Sequence, residues 1–256
     1  MIITILSLVL GLIIAIGGVA PNVANGMAET RLREALNQPE YLAVKMHPHA
    51  PSFSLLSGSV KYTEVEARRF VLADLPVESL EIRLDALSVN TAAETAALRE
   101  PTQGVVRVRL SEAGINQFLA SDTFRQLLDK LRSEKEILSQ LDAELDHVKV
   151  DLKSDRVQLA GQASTMGGFF TIPFEMSGQL RLATERQLFV QQVKATTLGR
   201  PLAPDMVLAI LESLNPVLDL SQLGGEDMQL YFRELTVRDG ELELLGEARL
   251  KALPTF

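Results

Sequence analysis

The sequence predicts an α+β fold: a large, curved antiparallel sheet wrapped against a long helix, preceded by an N-terminal hydrophobic helix. Three observations predict it. Segments of alternating hydrophobicity fill residues 41–110 and again 148–250. A block of helical periodicity, roughly 112–145, separates them. The first 28 residues carry no charged side chain, whereas charged residues make up 23% of the whole chain. Amphipathic strands in this order form a sheet with one face toward water, and the other face has to be covered.

The chain divides into residues 1–28, a signal peptide or membrane anchor, and residues 29–256, a single α+β domain. Ile2 to Ala20 is apolar apart from Thr4, Ser7 and three glycines. As a helix it would span about 28 Å, close to the hydrocarbon thickness of a bilayer. No Lys or Arg precedes the run, and the small-residue site Gly18-Val19-Ala20 is followed by Pro21, which disfavours cleavage there. Gly26-Met27-Ala28 is a second candidate site. A buried core helix is the third reading, and the missing polar face argues against it. Arg31 and Arg33 follow the run, so the charge rule would keep the body in the cytoplasm and conflicts with an export signal.

The body begins with a weak helical face at Leu32, Ala35 and Leu36, then a short strand over 41–47. Ser59 to Phe70 is β-rich, and its apolar parity switches between Tyr62 and Val65, which predicts a bulge near Glu64. Leu80, Ile82, Leu84 and Ala86 share one strand face, opposite Glu81, Arg83 and Asp85. Val106, Val108 and Leu110 form the next. Ser111 is placed to cap a helix carrying Ile115, Phe118 and Leu119. After Ser121 a longer helix is predicted to run to about Leu145, with Phe124, Leu127, Leu128, Leu131, Leu138, Leu141 and Leu145 near one stripe. Val148, Val150 and Leu152 turn at Ser154-Asp155 into Val157, Leu159, Gly161 and Ala163. The cleanest strand follows: Phe170, Ile172, Phe174, Met176, Gly178, Leu180 and Leu182 alternate with polar or turn-forming residues. A return strand spans 188–195. An apolar helix spans 204–218, ending near Pro216. Residues 228–237 and 242–250 close as a hairpin across Asp239-Gly240.

Composition excludes several functions. Lys+Arg number 25 against 33 Asp+Glu, a net charge of −8, so no basic field is available for nucleic acid. There is no Cys, which removes disulfides, thiolate metal sites and Cys nucleophiles. The only His pair, His47-Pro48-His49, has no third ligand nearby and reads as a loop pair rather than a metal site. His147 beside Asp146 reads as a surface ion pair rather than a catalytic dyad. No nucleophile elbow and no phosphate-binding loop occur. Gly167-Gly168 and Gly224-Gly225 read as turns. Neither a catalytic residue, a metal nor a cofactor is implied. Asn116, where a strand meets a helix, either satisfies backbone groups or contacts a lipid headgroup.

Several stretches resemble the LmeA-like phospholipid-binding proteins of bacterial cell envelopes. They are Pro51 to Val60 (PSFSLLSGSV), Leu80 to Asn90 (LEIRLDALSVN), Val106 to Leu119 (VRVRLSEAGINQFL) and the segment from Leu214 that ends VRDGELELLGEARL. The likeness extends over roughly residues 21–250, and its strength lies in the order of the motifs. It implies phospholipid as ligand, a membrane as partner, a tubular lipid-carrying fold, and a cell-envelope location, anchored or periplasmic. It names no protein partner.

The residues allow the same function independently. Burying a CH₂ is worth about 0.8 kcal/mol, so a sixteen-carbon chain leaving water gains on the order of 12 kcal/mol before ordering costs. A lipid binder needs an apolar trough and no catalytic group. The expected trough walls are Phe170, Ile172, Phe174, Met176, Leu180 and Leu182. The expected opposing surface is Ile115, Phe118, Leu119, Leu127, Leu128 and Leu131. The competing reading is a non-enzymatic envelope structural or adaptor protein whose core these same residues fill.

Overall fold

Period-two hydrophobicity becomes paired strands wherever a short turn lets neighbours meet. The structure, a computed structural model, describes residues 29–30, 32–34, 36–49, 59–72, 74–90, 97–134, 143–165, 170–222 and 228–251. The N-terminal apolar run and the PSFSLLSG stretch lie outside these residues. No helix among the described residues is long and apolar enough to cross a membrane. The protein is mostly antiparallel sheet with a few short helices.

The strands form two sheets rather than one. In the first, β1 (Tyr41–His47), β2 (Ser59–Leu72), β3 (Leu75–Asn90) and β5 (Thr102–Ser111) lie in that order. The short β4 (Ala97–Leu98) pairs with β3. The hairpin of β12 (Met228–Arg238) and β13 (Glu241–Leu250) then joins β5 through β13. The last strands of the chain therefore complete a sheet begun by the first. The second sheet is built from the middle of the chain: β6 (Ala143–Lys153), β7 (Arg156–Thr165), β8 (Phe170–Thr184), β9 (Gln187–Thr197) and β10 (Arg200–Pro201), with β11 (Leu218–Asp219) also on β9.

The helical block divides in two at Ser121, as expected, and neither helix is long among the described residues. Helix α1 (Glu112–Leu119) ends and α2 (Asp122–Glu134) begins at Ser121. The Ser121 hydroxyl donates to the Phe118 carbonyl (2.7 Å) and accepts from the Phe124 amide (3.2 Å). Leu145, expected at the helix end, lies in β6, where alternation toward Val148, Val150 and Leu152 overrides helical spacing. The third helix, α3 (Pro204–Leu214), is 11 residues long. Ser111 caps α1 as expected, accepting from the Gly114 amide at 3.2 Å.

The core sits on the inner face of the first sheet. Leu80, Ile82 and Leu84 of β3, Val106 and Val108 of β5, and Val44 of β1 are buried together with Leu32 and Leu36 of the preceding helical stretch. Two expectations fail here. The β2–β3 pairing keeps one register, so no residue is inserted near Glu64. Ala86 leaves the apolar face and is exposed, its backbone in the left-handed region (φ 48°) opposite the point where β2 changes parity.

The second sheet meets the first end-on, through the outer edge of β12. The Phe232 amide donates to the Glu185 carbonyl in the β8–β9 turn, and the Asp155 amide of the β6–β7 turn donates to the Val237 carbonyl. Gly240 donates to the Leu152 carbonyl at 3.0 Å, and Asp239 accepts from the Ser154 amide at 2.8 Å. Arg233 bridges Glu185 of the second sheet and Glu247 of the first.

Candidate functional site

Strand register assembles one continuous apolar face on the second sheet. In β8, Ile172, Phe174, Met176, Gly178, Leu180 and Leu182 share a face. Across β7 they meet Ala163, Gly161, Leu159 and Val157. On the other side Leu182 meets Leu188, Leu180 meets Val190, and Met176 meets Ala195 of β9. Beyond β7, Val157 and Leu159 oppose Leu152 and Val150 of β6. A bulge preserves this row. β9 carries an extra residue opposite Gly178, with Gln192 in the left-handed region (φ 52°), and Val193 returns to the apolar face. Gly178 has to be small: a Cβ there would lie 2.6 Å from Val190 Cγ2.

Burial along this face is graded. At the end nearest the first sheet, Leu180 and Leu182 pack against the main core. Leu180 also joins Leu152, Val237 and Leu242 in a second cluster at the sheet junction. Phe174 and Met176, further out, are half-buried, and Ile172 is 39% exposed. The Phe174 ring occupies the space left by Gly161, whose missing Cβ would stand 2.8 Å from Phe174 Cζ. Ten residue steps separate Leu182 from Ile172, about 33 Å of strand. The face thus runs from packed core to open surface.

Both outer edges of this sheet are closed by asparagine side chains. Asn116 of α1 donates to the Val150 carbonyl (2.8 Å) and accepts from the Val150 amide (2.7 Å), so its amide pairs with β6 as another strand would. Glu112, one turn earlier, accepts from the Leu152 amide at 2.8 Å. On the opposite edge Asn215, just after α3, makes the same two bonds to Val190 of β9, at 3.0 and 2.8 Å. Helix α3 runs beside β9 between Leu202, which donates to the Ala195 carbonyl, and Asn215. Of the two roles weighed for Asn116, backbone satisfaction is the one the geometry displays. Its partner is a distant strand rather than its own helix.

The residues expected to line a trough fall into three groups. Ile172, Phe174 and Met176 lie on the open half of the face. Leu180 and Leu182 belong to the junction, and Ile115 of α1 reaches the same second cluster as Leu180. Phe118 meets Phe124 edge-to-face at 5.7 Å, and Leu119 and Leu128 are half-buried. Leu127 and Leu131 lie in α2, and Phe170 is the first residue of β8. The principal partners of α1 are β3, β5 and β6, and that of α2 is α1. The sequence reading placed Val150, Val157, Leu159, Val190 and Val193 in strands but not in the site. Their alternation was visible; the strand pairing that puts them beside β8 was not.

Two concavities lie elsewhere. One of about 550 Å³ is on the outer face of the first sheet, lined by Lys45, Glu64, Glu66, Glu81, Arg83 and Arg107 around Ala43, Val105 and Leu245. Its charges are largely matched: Arg107 bonds Glu81 at 3.2 Å, and the Arg83 guanidinium lies 4.4 Å from the Tyr62 ring centroid. The second, of about 40 Å³, is apolar, lies between Val106, Leu220, Leu230 and Phe232, and is far too small for a hydrocarbon tail. Two carboxylates titrate below their usual range. The Arg233 guanidinium lowers Glu247, and hydrogen bonds from Ser221 and Gln187 lower Asp219. Both serve as structural anchors.

The family model for LmeA-like phospholipid-binding proteins matches residues 17–247. No curated protein and no solved structure matches the chain.

Proposed function

The chain belongs to the LmeA-like phospholipid-binding family, and from that premise we propose that the apolar face of the second sheet holds the acyl chains of a phospholipid. The observation that carries this reading is the graded burial along β8, from core at Leu182 to open surface at Ile172. Tails would lie along Ile172, Phe174 and Met176, with Leu159 of β7 and Val193 of β9 beside them. Leu180 and Leu182 form the closed end against which a tail would stop. Phe170 extends the wall at the start of β8, and Leu127, Leu128 and Leu131, with Phe118 and Leu119, are the candidates for the surface that closes over the tails. A furrow of this kind needs no enclosed tunnel, because lipid arriving from a bilayer leaves one apolar medium for another.

The reading includes a non-enzymatic role in the bacterial cell envelope. Residues 1–28 act as signal or anchor, and residues 29–256 form the lipid-binding body. A sheet wrapped against a helix, as first expected, would be completed if α2 folds over the open face once lipid is bound, with α1 held on β6 by Asn116 and Glu112.

The test is to purify the protein from envelope membranes, analyse organic extracts by mass spectrometry, and repeat with Met176→Glu. Co-purifying phospholipid that falls severalfold in the variant supports the furrow. Absence of phospholipid together with no binding to liposomes would leave the adaptor reading, in which the body is a scaffold.

A further inference from the structure

The open end of the second sheet carries a feature that lipid holding alone does not explain. β9 and β10 are joined by a two-residue loop, Leu198-Gly199, between the paired Thr197 and Arg200. Both loop residues have left-handed backbones, φ 50° and 72°. Of the other described two-residue tips, Ser154-Asp155 and Asp239-Gly240 put Asp155 and Gly240 at such a position, residue types that tolerate it, and Glu185-Arg186 puts neither residue there. Leucine is strained there, and this one is 71% exposed. A residue that is strained by its backbone and gains nothing from burial calls for a partner outside the chain.

The surroundings say what kind. Of the eight large hydrophobic residues that are exposed among the described residues, four gather at this end: Leu198, Ile172, Met206 and Leu208. Met206 and Leu208 (55% and 56% exposed) lie in the first turns of α3, which begins directly after β10. Val207 and Leu211, one turn apart, are half-buried while Met206 and Leu208 are exposed, so these exposed apolar residues are not on the packing face. Arg200, at the base of the tip, is exposed and makes no ion pair among the described residues, on a protein whose other arginines are mostly bonded to carboxylates or stacked on tyrosines. Asp205 sits in the first turn of α3, where it complements the helix dipole. Apolar side chains around an unpaired guanidinium match an anionic bilayer surface: the leucines and methionine enter the acyl boundary while the cation stays among phosphates.

We propose that the Leu198-Gly199 tip and the start of α3 dock the protein on an anionic phospholipid bilayer, with the open end of the β8 furrow facing the membrane. This rests on the lipid-binding reading for its purpose and stands on separate residues. It gives lipid a route that never crosses water: from the bilayer past Ile172 and along Phe174 and Met176 toward Leu180.

The absence of Cys lets single thiols report position. An environment-sensitive dye is attached to full-length Leu198→Cys, to Met206→Cys, and to Val71→Cys on the first sheet as the control. Each is mixed with phosphatidylcholine vesicles with or without phosphatidylglycerol. With phosphatidylglycerol, dyes at 198 and 206 should shift to the blue, become quenched by spin-labelled acyl chains and lose access to iodide, while the dye at 71 stays aqueous. Adding Arg200→Gln should weaken the response at 206. Unchanged iodide access at both 198 and 206, or an equal response at 71, would overturn the proposal. Extracting bound phospholipid from the same preparations separates the two ideas. Lipid present with aqueous dyes sinks the docking tip alone; membrane-inserted dyes without bound lipid sink the furrow alone.

Discussion

The two sheets are written in the same hydrophobic alphabet and end in different states. Both alternate aliphatic and polar residues along long antiparallel strands. In the first, Leu84 is fully buried, with Ile82 and Val106 nearly so. In the second, Phe174 and Met176 occupy equivalent inward positions and are only half-buried, and Ile172 is exposed. Alternation thus determines which face of a strand is apolar, and not what covers it. Cover comes from parts of the chain distant in sequence, and the first sheet receives more of it. Spare apolar face on a well-paired sheet is what a lipid-binding protein requires and what a simple scaffold would avoid.

The comparison breaks most directly with matched truncations. Leu84→Ala should cost about 2–5 kcal/mol in chemical unfolding, the usual loss for a buried leucine. Met176→Ala should cost well under half as much and should lower lipid content instead. Equal losses would mean that the second sheet is packed like the first. Glycines sharpen the same contrast. A Cβ at Gly104 would meet Leu84 Cδ2 at 2.5 Å and the Arg83 carbonyl at 2.8 Å, both within the core sheet. Gly104→Ala should therefore cost about 1–3 kcal/mol by overpacking. Gly161→Ala presses mainly on the rim of the half-buried Phe174 ring, with the Asp146 carbonyl next at 3.3 Å. It should be milder in stability, with the ring displaced and lipid binding altered.

Legibility in the sequence follows the same division. Period-two runs placed β1, β5, β8 and the closing hairpin within a few residues, and Ser111 and Asp239-Gly240 gave their cap and turn correctly. The split into two sheets was hidden. It depends on β13 pairing with β5, residues more than a hundred positions apart, and no local pattern encodes that choice. The helix after Ser121 was extended too far because Leu145 fits helical spacing. The β-branched alternation that follows claims Leu145 for β6. For the candidate site, the row from Phe170 to Leu182 was legible, but its division into a core half and an open half was not. Asn116 was noticed for its position at a strand–helix boundary. Asn215, which does the same work on the other edge, was not singled out, because the helix was read on past it to an end near Pro216.

Those two asparagines supply the next test. Asn116→Ala and Asn215→Ala each strip a backbone amide and a carbonyl of the second sheet of their partner. Each should cost about 1–3 kcal/mol where the edge is shielded from water, and less where water replaces the side chain. Hydrogen exchange should speed at Val150 in the first variant and at Val190 in the second, with the first sheet unaffected. Faster exchange across β2 and β3 would show that the sheets unfold as one unit rather than separately.

The smallest expected effect is acid loosening of the junction and of the β9 edge ahead of the first sheet. Glu247, lowered by its bond to Arg233, helps tie β13 to the β8–β9 turn; Asp219, lowered by Ser221 and Gln187, holds β11 on β9. Their folded values lie below the ordinary 4.5 and 3.8, so the stabilisation is full above those values and disappears as pH falls through the folded ones. Both groups are half-exposed and reached by solvent, so the loss is modest and screened by salt. Between about pH 5 and pH 3, exchange protection should fall first at β9, β11 and β12, and only later at β3 and β5. Asp219→Asn should flatten the β11 response while leaving that of β12 in place. If protection falls at the same pH in both sheets, the junction is not the weaker element, and the contrast in packing between the two halves does not extend to their stability.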